Sequence, residues 1–299
     1  MKRARIIYNP ASGKAQFRKF IPDILQKLES NGYETSCHAT SSYQDAIEAA
    51  KLSCQRKYDI VIVSGGDGTL NAVVTGLSQV KNPPKLGLIP AGTTNDFARA
   101  MGISGNILAA VDIILENHPI PIDVGTCLES KFFINIAAGG IFTEVSYTTS
   151  NKLKSTVGEL AYMLEGIKQV PTVQPIYAEI EYDEKIFKGE IMMFLISNTT
   201  SVGGFGKIAP IASANDGKFD LIIIKKGNVP ELIDVATKIL SGKHINHPLV
   251  HYAHATHIKI NTPKGMNINI DGEYGGTTPT EFKNLQHHLQ VFLPKGERK

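Results

Sequence analysis

Apolar positions follow two successive rhythms along this chain. Up to about residue 123, short β-branched runs alternate with stretches of helical spacing. Ala4 to Tyr8 reads as a strand, residues 17 to 29 as a helix, 33 to 39 as a strand and 43 to 56 as a helix. A strand at 59 to 63 leads into a helical pattern through Val73, Val74 and Leu77. A strand at 86 to 89, a helix at 105 to 117 and a strand from Pro119 to Val124 follow. The first helix carries Phe17, Phe20, Ile21, Ile24, Leu25 and Leu28 on one stripe, with Pro22 either kinking it or marking its start. This βαβ alternation predicts a doubly wound parallel sheet, whose ligands gather at the carboxyl ends of its strands.

Beyond that point the strands come in series, at 131–137, 174–182, 186–197, 219–225, 255–261, 266–271 and 287–293. Two helical insertions interrupt them, one holding Leu160, Leu164 and Ile167, the other Leu232, Ile233, Ala236, Ile239 and Leu240. The expected fold class is α/β: an N-terminal doubly wound parallel α/β nucleotide-binding domain over 1–123, and a larger, mostly antiparallel β domain over 124–289. The tail, about 290–299, is expected to pack back onto the first domain, and the active site to occupy the interdomain cleft.

Composition narrows the class. With 299 residues, 42% hydrophobic and 20% charged, the chain has the make-up of an ordinary globular protein of one large or two ordinary domains. No apolar run reaches the roughly 18 residues a spanning helix needs. The start, Met-Lys-Arg-Ala-Arg-Ile-Ile-Tyr, enters a strand with no cleavage pattern, so a cytoplasmic protein is expected. A formal charge of +3 is too small to argue for nucleic acid, yet it permits contact with an anionic membrane surface. Cys37, Cys54 and Cys127 are too widely spaced for a zinc site, and buried free thiols are expected.

Candidate chemistry sits at the strand ends. Ile60-Val-Ile-Val63 stops at Gly65-Gly-Asp-Gly-Thr69, where residues without a Cβ let backbone N–H groups approach an anion near a helix N-terminus. Asp67 in that turn would repel a phosphate unless a cation stood between them; the alternative is a plain Asp-Gly turn. Asn9-Pro-Ala-Ser-Gly-Lys14 follows the first strand, and Pro90-Ala-Gly-Thr-Thr-Asn-Asp-Phe97 another. Three such loops in one parallel sheet converge on one crevice. Far along the chain, Asp271-Gly-Glu273 follows a strand. On an extended backbone both carboxylates would face one side, each raising the other's pKa; the alternative is an Asp-Gly hairpin turn. The five histidines between His244 and His257 lack metal-site spacing, because Pro248 interrupts them and a strand would send His251, His254 and His257 to alternate faces.

Asn9-Pro-x-Ser-Gly13, Gly65-Gly-Asp-Gly-Thr69, Pro90-x-Gly-Thr-x-Asn-Asp-Phe97 and Asp271-Gly-Glu273 occur in the order seen in bacterial soluble diacylglycerol kinases, which this chain resembles over essentially its whole length. It is more distantly similar to sphingosine and ceramide kinases. The resemblance implies an ATP-dependent lipid kinase that phosphorylates the hydroxyl of 1,2-diacylglycerol to phosphatidic acid and feeds phospholipid metabolism. Asn9, Pro10, Ala11, Ser12, Gly13, Thr40, Gly66, Asp67, Gly68, Thr69, Leu70, Asn71, Ala72 and Thr93 would then surround ATP. Asp67 would organise its Mg2+, helped by Asp96 and Asp123, the last also readable as a strand-end cap. The base is Glu273 supported by Asp271, or the reverse. A second Mg2+ would bind the Asp216 carboxylate and the Ser213 and Lys218 carbonyls, with Asn215 standing where some relatives carry an acid. Lipid would enter the β domain near Lys152, Lys154, Tyr162, Met163 and Leu164 or the Ser201–Lys207 loop, with transient contact at the inner face of the membrane. A homodimer is also implied. The rival readings are an NAD kinase, disfavoured by the missing Asn-Glu pair after the glycine loop, and a non-catalytic nucleotide- or lipid-sensing module.

Overall fold

In the computed structural model of the chain, residues 1–15, 17–128, 130–140, 174–201 and 207–295 are described. The chain forms two compact units: Met1–Val124 together with the C-terminal segment from Gln286, and Gly125–Leu285.

The first unit runs β1 (Lys2–Tyr8), α1 (Phe17–Ser30), β2 (Tyr33–Ala39), α2 (Tyr43–Gln55), β3 (Ile60–Gly65), α3 (Asp67–Ser78), β4 (Lys85–Pro90), α4 (Asp96–Ala100), α5 (Ile107–Leu115) and the start of β5 (Pro119–Cys127). Its sheet is parallel in the order β4-β3-β1-β2, with Ile6 opposite both Cys37 and Ile62, and Ile62 opposite Gly87. Every residue of β3 is buried, which a parallel strand covered on both faces requires and which its unbroken apolar run anticipates. The chain steps from β1 outward to β2, then returns past β1 to β3 and β4. The direction therefore reverses between β1 and β3, and the carboxyl ends of those two strands flank the switch point. Val291 extends the sheet by pairing in parallel with Leu86. Pro22 lies inside α1 at an exposed position rather than at its start.

The second unit continues with β6 (Lys131–Phe133), β7 (Ile136–Gly140), β8 (Ile176–Tyr182), β9 (Lys185–Ser197), β10 (Phe219–Lys225), α6 (Val229–Ser241), β11 (Val250–Ala255), β12 (His257–Asn261), β13 (Asn267–Ile270), β14 (Glu273–Thr277) and the first part of β15 (Thr280–Phe292), whose remainder from Gln286 belongs to the first unit. Among the described residues the second unit's strand pairs β7–β9, β8–β9, β9–β10, β10–β11, β8–β12, β7–β13 and β13–β14 are antiparallel. β9 is the organiser: its first half pairs with β8 and its second half with β7 and β10, Ile196 standing opposite Ala137 and Leu221. From Met193 to Ile196 its side chains alternate between two cores, and a register shift opposite Ile224 and Lys225 brings Met192 and Met193 to the same side. Ile191, Phe194 and Ile196 join Phe133, Phe219 and Phe282 on one face, where Phe133 stacks on Phe219 at 5.4 Å. Met193 and Leu195 join Ile222, Ile224 and the Leu232, Val235 and Ile239 stripe of α6 on the other. Capping fixes the limits of α6: Asn228 and Glu231 form a reciprocal capping box, and Gly242 ends the helix at φ 73°.

Several expected boundaries move. The strand expected over 131–137 divides around Ile134-Asn135, and the one over 255–261 is two strands, β11 and β12, meeting at Thr256. At that junction the Asp183 carboxylate accepts the Thr256 and His257 amides and the Thr256 hydroxyl. β14 is an additional strand, and β15 begins seven residues before the expected 287. The helix expected around Leu160, Leu164 and Ile167, the surface around Lys152, Lys154, Tyr162 and Met163, and positions 202–206 of the Ser201–Lys207 loop lie outside the described residues.

Candidate active site

The three loops after β1, β3 and β4 meet on one rim of the first unit. The Asn9 amide donates to the Ser64 carbonyl at 2.9 Å, and the Ala91 amide to the Gly65 carbonyl at 2.9 Å. The Asn9 side chain closes its own turn by accepting the Ala11 amide at 2.9 Å. Gly13 has φ +57°, and a Cβ there would lie 2.5 Å from the Ala91 carbonyl oxygen, so the first and third loops touch through bare backbone. A Cβ on Gly92 would run into the Gly66 Cα, which joins the second loop to the third in the same way. These are the approaches for which glycine is required, and none of them is local in sequence.

Around that rim stand most of the expected nucleotide residues. Thr40 is buried and donates its amide and hydroxyl to the Tyr8 carbonyl, at 2.8 and 3.3 Å. Gly66 is the N-cap of α3 and has no side chain to occupy the amides of the first turn, where Asp67, Gly68 and Thr69 lie partly exposed. Leu70, Asn71 and Ala72 are buried behind them. Asn95, left-handed at φ 52°, braces the third loop by accepting the Gly92 amide and donating to the Gly92 carbonyl, both at 2.9 Å, and Thr93 is exposed between them. Asp96 opens α4 and is buried. Asp123 is wholly buried and accepts the His287 amide at 2.7 Å, where β15 takes a left-handed residue, so it caps a strand irregularity whatever else it does.

In the second unit, Asp271 and Gly272 are the two central residues of the β13–β14 hairpin, for Ile270 pairs directly with Glu273. Their φ angles, 48° and 96°, are left-handed, the conformation that selects Asp-Gly in a two-residue turn. This corrects the expectation of an extended backbone. Both Asp271 oxygens accept main-chain amides, Oδ2 from Ile134 at 2.8 Å and Oδ1 from Asn135 and Ile136 at 3.1 and 2.8 Å. The Asp271 amide returns a bond to the Ile136 carbonyl at 2.9 Å. Asp271 thus anchors the hairpin to the turn between β6 and β7, and Glu273, partly exposed, opens the next strand. That turn is fixed in its own right: Asn198 donates to the Asn135 and Ile134 carbonyls, and the buried Thr199 hydroxyl to the Asn135 side chain. Asn135 is not among the residues expected at the site, although a polar residue inside Phe132-Phe-Ile-Asn-Ile136 is the signal that marks it.

The expected second metal loop is a compact turn. Asp216 is exposed and accepts the Lys218 amide at 3.0 Å, Ser213 donates to the Asn215 side chain at 3.1 Å, and Gly217 has φ 77°. Just beyond it, burial pushes the Asp220 carboxyl up to about 6, against the opposing Tyr252 hydroxyl bond and the His254 ring, with the Asp216 charge adding to the rise. The five histidines disperse to separate partners: His244 to the Ile208 carbonyl, His247 to Asp234, His251 to the Tyr182 hydroxyl, His254 near Asp220 and His257 to Glu281. The three cysteines are free, Cys127 buried and the other two half-buried.

Two family models match successive parts of the chain. Residues 3–127 match the model of the diacylglycerol kinase catalytic domain, and residues 137–293 that of the YegS C-terminal NAD kinase beta sandwich-like domain. A diacylglycerol kinase of Bacillus subtilis (strain 168) is 52% identical over 99% of this chain and 97% of its own length. The chain belongs to the diacylglycerol kinase family. Another diacylglycerol kinase, from Staphylococcus saprophyticus subsp. saprophyticus, is 47% identical over 98% of this chain and 96% of its own length. A solved structure from Bacillus anthracis str. Sterne, 26% identical, overlays with a TM-score of 0.86, covering 98% of this chain and 96% of that one. Relative to the family models, the three glycine loops fall within the kinase catalytic segment, and Asp216, Asp271 and Glu273 within the second.

Proposed function

We propose that this chain transfers the γ-phosphoryl group of ATP to the free hydroxyl of 1,2-diacylglycerol, giving phosphatidic acid and ADP. The observation that carries the reading is full-length membership of the diacylglycerol kinase family together with intact glycine loops and an Asp-Gly-Glu hairpin. ATP is assigned to the first unit, with Asn9 to Gly13, Thr40, Gly66 to Ala72 and Thr93 around it. The lipid is assigned to the second.

Transfer requires the lipid oxygen to attack the γ-phosphorus while the bridging bond to ADP breaks. The hydroxyl proton goes to a base, and the leaving charge rests on ADP. Glu273 is the better base, because the Asp271 oxygens already accept three amides that fix the hairpin. Asp271 is therefore read as a positioning residue. Backbone amides of the glycine loops suit the phosphate oxygens, and the first turn of α3 adds its dipole. Asp67, partly exposed on that rim, is an oxygen donor of the kind Mg2+ prefers, with Asp96 and Asp123 in support. Bound Mg2+ would offset charge on the transferring phosphates. A second ion at Asp216, Ser213 and Lys218 has one carboxylate to hold it, so it belongs to the proposal as a weaker site.

Among the described residues no helix is long and apolar enough to cross a membrane. Transient contact with the inner membrane face, and a homodimer, are included in the proposal as consequences of a lipid acceptor and of family likeness. The test offers labelled ATP and Mg2+ with diacylglycerol in mixed micelles, sphingosine, ceramide, undecaprenol or NAD in parallel. Label in phosphatidic acid supports the reading; label only in NADP, or in another lipid alone, refutes it.

A further inference from the structure

The start of α2 holds a residue that neither the glycine loops nor the Asp-Gly-Glu hairpin accounts for. Tyr43 is the first residue of α2 and is 38% exposed, yet its hydroxyl donates to Oδ1 of Asn71 at 2.5 Å. Asn71 lies 28 residues later on α3 and is 1% exposed. It stands one helical turn after Asp67, on the same face.

The two helices are forced together there. A Cβ on Gly76 would lie 2.5 Å from the Ile47 carbonyl oxygen and 2.7 Å from the Ala50 Cβ, so α2 and α3 meet backbone to backbone. Tyr43 and Ile47 are one turn apart on α2, and Asn71 and Gly76 follow each other along α3. The hydroxyl therefore spans the end of an already close contact. The start of α2 is itself immobilised: the Ser42 hydroxyl accepts the Asp45 amide, and the Asp45 carboxylate accepts the Ser41 amide at 2.7 Å and pairs with His38 at 3.0 Å. Thr40, three residues before Tyr43, is tied to the end of β1.

We propose that Tyr43 is a positioning residue for the nucleotide: its hydroxyl fixes the Asn71 amide and registers the first turn of α3, with Asp67, against the Thr40 turn. The inference rests on the assignment of ATP to this rim. A packing role alone would not need the hydroxyl, since an exposed phenylalanine ring would cover the same surface.

The test is Tyr43→Phe in the full chain, read by equilibrium binding of MgATP and by steady-state kinetics. Loss of one neutral hydrogen bond to a positioned group predicts a rise of about three- to tenfold in the MgATP Kd and in KM for ATP. KM for diacylglycerol is expected to stay within about twofold, and so is kcat. In an Asn71→Ala background the same substitution should have no further effect. An unchanged MgATP Kd in Tyr43→Phe, or additive effects in the double variant, overturns the inference. If MgATP binding depends on Tyr43 but no phosphoryl group reaches diacylglycerol, the inference stands and the acceptor assignment falls. If the unaltered chain binds no MgATP, both fall.

Discussion

Replacing Asp271 by asparagine separates positioning from proton transfer. The side chain keeps its size, but one oxygen becomes an NH2 group. Oδ1 takes two amides and Oδ2 one, so whichever way the new amide turns, at least one main-chain N–H of residues 134–136 faces another donor. Losing one bond to a charged acceptor costs about 1.5–3 kcal/mol, and the surviving bonds lose their charge assistance, which brings the total to roughly 2–4 kcal/mol. At about 2–4 °C per kcal/mol for a domain of this size, Tm should fall by about 4–16 °C. The hairpin that carries Glu273 would then be held less firmly. A displacement of about 1 Å is worth on the order of 100-fold in rate, so kcat should fall by about 10- to 100-fold while KM for ATP stays within about twofold. Thermal unfolding and mixed-micelle kinetics on one preparation measure both. A variant with unchanged Tm and an activity loss beyond about 10,000-fold would refute the reasoning, because Asp271 would then be performing the chemistry.

Further expectations follow from the glycine loops and from the β11–β12 junction. Gly92→Ala forces a Cβ into the Gly66 backbone and should weaken MgATP binding by about tenfold or more, whereas Gly105→Ala, with nothing within 4 Å, should leave it unchanged. Equal effects in a titration of the two variants would contradict the convergence of the loops. Burial alone would raise the Asp183 carboxyl, but the Thr256 hydroxyl and the His257 and Thr256 amides outweigh it and hold it below the usual range. A depressed carboxylate stabilises the fold above its unfolded pKa and loses that contribution as pH falls through its folded one. Asp183→Ala should therefore lower Tm at pH 7, and the difference from the unaltered chain should shrink on acidification below about pH 4. A gap that widens at low pH would count against this sign.

The parallel half of the fold was legible because its signals are local. Ile60 to Val63 is apolar at every position and ends at glycine, so the strand, its burial and its loop could all be read from one window. Convergence of the three loops followed from the strand-end rule, and the crowding at Gly13 and Gly92 gives it a physical cause. β14 was hidden for the opposite reason. Glu273-Tyr-Gly-Gly-Thr has no apolar alternation, and its pairing depends on Gly275 lying close beneath Ile268 and Ile270. β11 reads as polar because of His251 and His254, and it is a strand because β10 lies beside it. The role of Asp271 was beyond local reading, since its three amide partners lie at least 135 residues earlier. Tyr43 likewise looks like an ordinary helix-start residue until Asn71 is brought against it.

In the proposed reaction ATP phosphorylates a lipid hydroxyl with Glu273 as the proton acceptor. Single-turnover transfer from labelled MgATP to diacylglycerol, measured with the unaltered chain and with Glu273→Gln, tests it most directly. Label is expected in phosphatidic acid with the unaltered chain, with a loss of at least about 100-fold in Glu273→Gln at unchanged MgATP affinity and Tm. Phosphatidic acid formed at an undiminished rate by Glu273→Gln, or none formed by the unaltered chain while it binds MgATP, would contradict it.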